Sequence, residues 1–375
     1  MDRVMCEQDR DMKKSGVVAV VGRTNAGKST LINRLLNEKV SIVSPVAQTT
    51  RNVIRGVWNG DRGQIVLLDT PGVHRAQSEL GRIMNRMARR TARGADAILL
   101  LADGSEAPRA EDEGWIRRLS KEQVPTLPVL NKSDAAENHR AEYERLWQAA
   151  RAAQEPPPEP ATRPRELNPR QSVRQEGESG ACQSAAQQDQ RDGPCRLARQ
   201  EPEIEGEATS FPPPTFTRDA RLCPGSAWLA ISAKTGDGLP ALTEALFAAL
   251  PEGPPLFPEE MLTDFPRKLA MADIVREKLL GQLREELPHA IAAQIERLDD
   301  AAEPWEVDGI VYVSRHSQKG IVIGHKGRLI RKVQRQAEAE LTAVFGHAVR
   351  LRLRVKVQER WHENFWMLKQ LGYVE

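Results

Sequence analysis

The chain has 375 residues, of which 40% are hydrophobic and 28% charged, so it is long enough for two domains, or three with a linker. No apolar run approaches the roughly 18 residues that a bilayer-spanning helix needs, which argues against an integral membrane protein. The net charge is only +2, but residues 315–360 contain twelve Lys or Arg against three Glu, a local charge of +9. This basic region favours a nucleic-acid-binding domain near the C-terminus, with a solvated charged surface as the alternative.

Strand-like and helix-like segments alternate along the first part of the chain. The predicted strands cover 17–21, 64–68, 95–102, 126–130 and 227–231, and the predicted helices cover 137–153 and 239–250, with another ending near 37. This alternation predicts an α/β domain with a mostly parallel sheet and helices on both faces. Ligands bind such sheets at the carboxyl ends of the strands.

Changes in composition mark the boundaries between the predicted regions. A flexible tail is predicted for 1–15 and the α/β domain for 16–252, followed by a Pro-rich hinge at 253–262. Residues 155–225 are rich in Pro, Gln, Arg and Glu, and their lack of apolar periodicity predicts a disordered insertion in the α/β domain. The four cysteines have no zinc spacing and are expected to be reduced thiols. With the absence of a signal or transit sequence in 1–16, this favours a cytoplasmic protein.

The C-terminal part, 263–375, is predicted to be a smaller α+β domain. A first helix is predicted at 267–286, strands at 289–298 and 307–314, and a second helix ending near 345. A strand at 349–357 and a last helix over 361–371 complete the pattern.

A phosphate-binding loop follows the first predicted strand and precedes a helix. The pattern G-x-x-x-x-G-K-[ST] is formed by Gly22, Arg23, Thr24, Asn25, Ala26, Gly27, Lys28 and Ser29, with Thr30 next in the chain. Its glycines allow backbone N–H groups to face phosphates, while Lys28 supplies positive charge and the Ser29 hydroxyl is expected to bind Mg²⁺.

A second phosphate-side element follows the strand at 64–68. It consists of Asp69, Thr70, Pro71 and Gly72. Asp69 stands where such proteins place the carboxylate that holds Mg²⁺, and Gly72 can offer its N–H to a γ-phosphate.

Two further elements are expected to read the base. Asn131, Lys132, Ser133 and Asp134 follow one strand, and Ser232, Ala233 and Lys234 follow the last strand of the α/β domain. The Asp134 carboxylate can accept hydrogen bonds from the N1–H and exocyclic amine of guanine, which adenine cannot supply together. Asn131 is expected to brace neighbouring loops, and Ala233 to donate to guanine O6.

A switch threonine is expected between these phosphate elements. Thr49 and Thr50 both supply hydroxyls for Mg²⁺, and Thr50 is favoured. Val73 follows Gly72 and cannot orient a water as a glutamine would, so slow GTP hydrolysis is expected to rely on Lys28, Thr50, Gly72 and Mg²⁺. Arg23 or Arg51 could serve as an internal arginine finger.

The C-terminal domain contains a candidate nucleic-acid clamp. Gly324, His325, Lys326 and Gly327 form a G-x-x-G turn after the apolar residues 321–323, which are predicted to be buried. The following helix carries Arg328, Arg331, Lys332 and Arg335 at spacings that share one face. This arrangement is typical of the KH clamp on single-stranded nucleic acid.

Two other C-terminal patterns are less specific. In the strand 349–357, the odd-numbered residues are apolar, and Arg350, Arg352, Arg354 and Lys356 between them predict a second basic stripe. Trp361, Phe365 and Trp366 are expected to be packing residues.

Together, these motifs resemble the Era family of ribosome-assembly GTPases over all of the chain except the insertion and the first residues. The resemblance rests on 22–30, 41–51, 69–72, 131–134, 231–233 and the turn 324–327. It implies a P-loop GTPase domain followed by a KH domain of type II. It also implies binding of GTP/GDP and Mg²⁺, and GTP-dependent binding to the 3′ end of small-subunit ribosomal RNA during 30S assembly.

Other properties are implied by the same resemblance. Members are cytoplasmic with a peripheral membrane fraction, they carry an apolar residue at the place of Val73, and Asn25 matches an asparagine that helps to hold K⁺ in related GTPases. Thr24 and Ala26 depart from the usual Pro and Val of the loop. A monomer is expected. A non-hydrolysing GTP-sensing RNA-binding protein and a membrane-surface GTPase are the alternatives.

Overall fold

The computed structural model describes residues 13–44, 46, 49–73, 78–136, 138–153, 228–284 and 286–374. The predicted insertion at 155–225 and nearly all of the predicted tail at 1–15 lie outside the described residues.

The N-terminal domain is built on a six-stranded sheet in the order β2-β3-β1-β4-β5-β6. All neighbouring pairs are parallel except β2 with β3. Its strands are β1 (Lys14–Val21), β2 (Ile54–Gly60), β3 (Gly63–Asp69), β4 (Ala97–Asp103), β5 (Thr126–Asn131) and β6 (Leu229–Ala230). Its helices are α1 (Lys28–Leu36), α2 (Glu79–Arg93), α3 (Ala110–Leu119), α4 (Arg140–Ala152) and α5 (Leu239–Ala249).

Helices cover both faces of this sheet because the central strands are apolar on both sides. In β1, Val18 and Val20 belong to the buried cluster that includes residues of α1 and α5. Ala19 and Val21 point the other way, into a cluster with residues of α2, α3 and α4. The predicted α/β class and mostly parallel sheet are confirmed.

The C-terminal domain is a three-stranded sheet with helices, in the order β7-β8-β9. Strand β8 runs antiparallel to β7 and parallel to β9. The elements are α6 (Arg267–Leu280), α7 (Leu287–Ala290), β7 (Ile291–Asp299), β8 (Trp305–Val313), α8 (His316–Ile323), α9 (Arg328–Phe345), β9 (Val349–Val357) and α10 (Phe365–Gln370). The predicted smaller α+β domain is confirmed.

The segment predicted as a hinge is tied to the edge of the first sheet. The fully buried side chain of Gln64 accepts hydrogen bonds from the N–H groups of Leu256 and Phe257 and donates to the Phe257 carbonyl. The Val57 N–H on β2 donates to the carbonyl of Leu262 at 2.8 Å. The domain boundaries themselves stay predictions.

Several sequence-based element predictions need correction. Strand β2 and helices α2 and α3 have no predicted counterpart. The helix predicted at 267–286 ends at Leu280, and α7 precedes β7. Residues 321–323 form the end of α8, where Val322 is fully buried but Ile321 is 52% exposed.

The last predicted helix is broken in two. Trp361–Glu363 form a short 3-10 turn, and Asn364 then caps α10 by accepting a hydrogen bond from the Met367 N–H. Trp361 is fully buried, as expected for a packing residue, but Phe365 and Trp366 are 52% and 76% exposed, so the packing prediction is wrong for these two. Within the described part of the chain, no helix has the length and apolar character needed to cross a bilayer.

Candidate functional site

The phosphate-binding loop connects β1 to α1 and requires glycine at both ends. Gly22 and Gly27 have φ angles of +152° and +96°, a region that L-residues with side chains rarely adopt. A Cβ at Gly22 would lie 2.1 Å from the Leu101 carbonyl oxygen, and one at Gly27 would lie 2.2 Å from Asn131 Nδ2. Both glycines are therefore fixed by close packing as well as by conformation.

Lys28 lies inside this loop. Its Nζ donates to the carbonyls of Arg23, at 2.8 Å, and Gly22, at 3.3 Å. The side chain is only 6% exposed. Burial lowers the pKa of Lys28 to about 8, partly opposed by the nearby Asp69 carboxylate.

Three oxygen-bearing side chains converge next to the loop. Ser29 Oγ donates to Asp69 Oδ2 at 2.6 Å and lies 2.9 Å from Thr50 Oγ1. Thr50 Oγ1 is 3.5 Å from the same carboxylate oxygen. Asp69 Oδ1 is buried and has no hydrogen-bond partner among the described residues. Hydroxyl and carboxylate oxygens suit Mg²⁺, and a buried carboxylate oxygen in need of a partner fits such a cation.

The neighbouring Thr49 faces elsewhere. Its hydroxyl donates to the carbonyl of Val46 at 2.6 Å. The geometry therefore favours Thr50 over Thr49 as the switch hydroxyl.

The base-reading elements meet at the ends of β5 and β6. Ser232 Oγ donates to Asp134 Oδ1 at 2.7 Å, and this bond lowers the pKa of the exposed Asp134 carboxyl. Asp134 is thus held in the charged, acceptor-only form.

Asn131 braces two loops, as its position suggests. Its Nδ2 donates to the Ala26 carbonyl, and its Oδ1 accepts the Ala233 N–H, both at 2.9 Å. The Ala233 N–H, which the sequence predicts to donate to guanine O6, is therefore already bonded to Asn131. The contact between Ala233 and the base stays a prediction.

A charged network links the phosphate loop to the base-reading loop. The buried Asp103 at the end of β4 accepts a 2.5 Å hydrogen bond from Lys132 Nζ and lies 3.3 Å from Arg23 Nη2. Arg23 also forms ion pairs with Glu106, at 2.7 Å, and Asp112, at 3.1 Å. Burial opposes the charge of Asp103, but the bonds from Lys132 and Ser105 outweigh it and lower the Asp103 pKa.

The contacts of Arg23 and Arg51 argue against either residue acting as an internal arginine finger. The guanidinium of Arg23 is held by carboxylates, and Arg51 Nη1 donates at 2.9 Å to the carbonyl of Ile291 in the C-terminal domain. Both side chains are nearly fully buried.

Gly72 and Val73 lie against the phosphate loop. A Cβ at Gly72 would lie 2.7 Å from Thr24 Cα, so this close approach requires glycine. The Val73 N–H donates to the Gly22 carbonyl at 3.4 Å, and its side chain packs against the apolar cluster of α2, α3 and α4.

The G-x-x-G turn lies between α8 and α9. Gly324 and Gly327 have φ angles of +73° and +72°, and Lys326 also has a positive φ, of +50°. The Gly327 N–H donates to the Gly324 carbonyl at 2.9 Å, and Arg331 Nη2 donates to the Lys326 carbonyl. The turn is thus held by its own backbone and by the first turn of α9.

The predicted basic face of α9 is exposed and carries unpaired charge. Arg328, Arg331, Lys332 and Arg335 are all exposed, whereas Val333 and Ala337 on the opposite side are fully buried. Across the described residues, none of these four side chains lies within salt-bridge distance of a carboxylate. The positive field of this domain is therefore concentrated beside the G-x-x-G turn.

The second basic stripe differs from its prediction. The alternation along β9 is present, but all four of its basic residues form ion pairs with acids on the other two strands of the sheet, β8 and β7. Arg352 binds Glu306 and Asp308 on β8 at 2.9 and 2.8 Å, and Arg354 binds Glu296 on β7. Much of the charge of this stripe is neutralised within the sheet.

Comparison with known proteins assigns the family. A family model described as 50S ribosome-binding GTPase matches residues 17–132, and a KH domain model matches residues 286–362. The GTPase Era of Lacticaseibacillus paracasei is 32% identical over 360 residues, covering 96% of both chains. The chain belongs to the Era family of GTPases.

Other Era proteins extend this assignment. The GTPase Era of Geobacter metallireducens is also 32% identical, over 96% of this chain and 98% of its own. The crystal structure of a variant of Aquifex aeolicus Era bound to GDP·AlF₄⁻ matches with 31% identity and a TM-score of 0.73, covering 96% of this chain and all of that one. A structure of Era with MgGDPNP and nucleotides 1506–1542 of 16S ribosomal RNA matches with 30% identity and the same TM-score, over 97% of this chain and all of that one.

The lowered pKa of Lys28 leads to a pH-dependence prediction. Nucleotide phosphates favour the charged ammonium, so the complex retains a proton that the protein alone loses above about pH 8. Affinity for GDP should therefore fall as pH rises above 8, by up to about tenfold per pH unit. Calorimetric titration between about pH 7 and 9 measures this slope.

Lys28→Met, which has no amine to titrate, should bind more weakly and show a flatter profile. Equal slopes for the two proteins would assign the titration to another group.

Proposed function

We propose that this Era-family protein binds and hydrolyses GTP with Mg²⁺ and binds the 3′ end of small-subunit ribosomal RNA as a switch in 30S subunit assembly. The observation that carries this proposal is the pairing, in one chain, of a guanine-reading pocket with an exposed, unpaired basic face beside a G-x-x-G turn. The likeness to the Era complex with 16S ribosomal RNA spans 97% of the chain and supports the same reading.

The phosphate loop supplies the main contacts for hydrolysis in this proposal. Lys28 and the backbone N–H groups of the loop hold the phosphates, and Gly72 offers its N–H to the γ-phosphate. Ser29, Thr50 and Asp69 hold Mg²⁺, which supplies charge stabilisation to the phosphates when bound. Val73 offers no hydrogen bond to an attacking water, so slow intrinsic turnover follows. The assignment of K⁺ to Asn25 rests on the family resemblance.

The RNA contact is assigned to the turn 324–327 and the exposed face of α9. The glycines allow a nucleic-acid backbone to approach closely, and the four unpaired cations of α9 attract its phosphates. The family model for residues 17–132 has a description naming the 50S subunit, but it covers only the first domain. We favour the small subunit because the match to the complex with 16S RNA includes both domains.

A direct test measures binding of a labelled RNA that matches the 16S 3′ end. The protein is loaded with a GTP analogue or with GDP in potassium buffer, and a shuffled RNA of the same composition is the control. Tight binding only to the matching RNA with the GTP analogue supports the switch. Binding that ignores both sequence and nucleotide would leave a GTP-binding protein with a general anion-binding surface.

The two alternatives predict other outcomes. A non-hydrolysing sensor predicts GTP binding without turnover even with RNA and K⁺. A membrane-surface GTPase predicts sedimentation with anionic vesicles, in proportion to the positive charge of α9 and without need for the G-x-x-G turn. Peripheral membrane contact and a monomeric state stay predictions.

A further inference from the structure

The residues on both sides of Thr50 are held by the C-terminal domain. On one side, Arg276 on α6 donates from Nη2 to the carbonyl of Thr49. Arg276 is only 1% exposed and is itself fixed by Asp273 Oδ1 at 2.9 Å. The backbone that leads into the switch threonine is therefore anchored outside its own domain.

On the other side, the Arg51 side chain extends into the C-terminal domain. It is 1% exposed, and its Nη1 donates to the Ile291 carbonyl at 2.9 Å and lies 3.4 Å from the Tyr373 hydroxyl. Its guanidinium carbon lies 5.4 Å from the ring centre of Trp361 and 5.7 Å from that of Tyr373, both within cation–π range. The last residues of the chain thus surround this arginine.

Neutral groups provide all of the described polar contacts of Arg51. No carboxylate of the described residues lies within salt-bridge distance of it, and burial lowers its pKa. A buried cation without an ion-pair partner depends on the placement of the dipoles and ring faces around it. Small displacements of Trp361 or Tyr373 would therefore change the contacts that hold the Arg51 guanidinium.

The two aromatic rings are themselves fixed by the fold. Trp361 Nε1 donates to the Ala290 carbonyl at 2.9 Å, and both rings belong to a buried cluster that includes Leu80 and Met84 of α2. Ile42, eight positions before Thr50, belongs to the apolar core of the C-terminal domain. The segment around Thr50 is thus packed against that domain at several points.

We infer that Arg51 is a positioning residue, which the C-terminal segment around Trp361 and Tyr373 holds in place so that the Thr50 hydroxyl faces Ser29 and Asp69. The inference rests on the proposed role of Thr50 toward Mg²⁺. The Thr49 carbonyl accepts its hydrogen bond from Arg276, and the Arg51 guanidinium bonds Ile291 and Tyr373, so groups of the C-terminal domain hold the residues on both sides of Thr50.

The test follows dissociation of a fluorescent GTP analogue from the full chain as Mg²⁺ is varied. Arg51→Met should raise the Mg²⁺ concentration for half-maximal retention roughly tenfold, and Thr50→Ala should raise it at least as much. GDP affinity without Mg²⁺ should be unchanged in both variants. If Arg51 acts through Thr50, the double variant should be no worse than Thr50→Ala alone. Arg51→Lys should recover part of the loss.

Two further variants separate positioning from general destabilisation. Tyr373→Phe removes only the hydroxyl and should cause a smaller shift, roughly two- to threefold, in the same direction. Lys39→Met removes another cation that reaches the C-terminal domain, where it pairs with Glu277 and Glu340, and it lies 11 positions before Thr50 and contacts neither Thr49 nor Arg51 in the described hydrogen bonds and ion pairs. It should leave the Mg²⁺ dependence unchanged.

The possible outcomes distinguish the two proposals. If Thr50→Ala itself leaves the Mg²⁺ dependence unchanged, the proposed metal role of Thr50 is wrong. If Thr50→Ala shifts it but neither Arg51→Met nor Tyr373→Phe does, only the positioning role is wrong. A shift with Lys39→Met equal to that of Arg51→Met would assign the effect to loosening of the domains in general. Additive shifts in the double variant would mean that Arg51 affects the Mg²⁺ dependence independently of Thr50.

Discussion

Asp134→Asn should change the base preference of the nucleotide pocket from guanine to xanthine. The Asp134 carboxylate has one oxygen bound by Ser232 and is exposed at the end of β5, where the base is expected. An asparagine amide in its place would point a donor at the exocyclic amine of guanine, itself a donor. Xanthine carries a carbonyl there and restores the match. We expect GDP affinity to fall by about 100-fold or more, as for sites built around a substrate hydrogen bond, with xanthosine diphosphate now preferred.

The measurement is calorimetric titration of both nucleotides against both proteins. Asp237→Asn is a matched control, because Asp237 is also an exposed aspartate near the end of β6, with its carboxylate bound by Thr235 at 2.6 Å. That variant should keep the guanine preference. If Asp134→Asn kept it as well, the base would have to be read by other groups, and the Ser232–Asp134 bond would be structural.

The sequence motifs located the phosphate and base loops because each lies at the carboxyl end of one strand. Their local order along the chain is enough to predict where Ser29, Asp69 and Asp134 lie. The antiparallel edge strand β2 has no counterpart among the predicted strands, because its sequence, IRGVWNG, mixes apolar residues with Gly, Arg and Asn and has no continuous apolar run. Its pairing with β3 is set by a two-residue turn at Asp61 and Arg62.

Contacts between distant parts of the chain could not be predicted in the same way. Arg23 meets Asp103 and Asp112 across about 80 to 90 positions of sequence, and Arg51 reaches Ile291 and Tyr373 in another domain. An arginine in a sequence does not show which distant carboxylate or carbonyl it will contact until the fold is known.

The paired stripe on β9 illustrates a similar limit. The alternation of basic and apolar residues is visible in the sequence, and it predicts an exposed basic face. Its neutralisation depends on the register of β8, which brings Glu306 and Asp308 opposite Arg350 and Arg352. A count of basic residues therefore overestimates the positive surface, and the α9 face is the larger remaining source of unpaired charge.

Gly327→Asp should abolish tight RNA binding while leaving the nucleotide pocket intact. Gly327 has a φ of +72°, and a Cβ there would lie 2.9 Å from Arg331 Nη1, so a side chain strains the turn and meets the cation that supports it. The new carboxylate would also repel RNA phosphates and pair with Arg331. We expect affinity for the 16S 3′-end RNA to fall by at least about 100-fold, since close backbone approach and a phosphate contact are lost together.

Gly346→Asp supplies the matched control on the same helix. Gly346 caps the other end of α9 with a φ of +73°, nearly equal to that of Gly327, and a Cβ there meets no atom within 4 Å. Both variants add one negative charge to the same domain, each at a glycine with nearly the same φ angle. Only Gly327 lies in the G-x-x-G turn. RNA binding is measured for both by fluorescence anisotropy at several salt concentrations, with GDP affinity as a check on folding. An equal loss in the two variants would mean that the domain attracts RNA through net charge alone. A selective loss at Gly327 would mean that the turn itself clamps the RNA backbone, because the added charge, the backbone conformation and the helix are matched between the two variants.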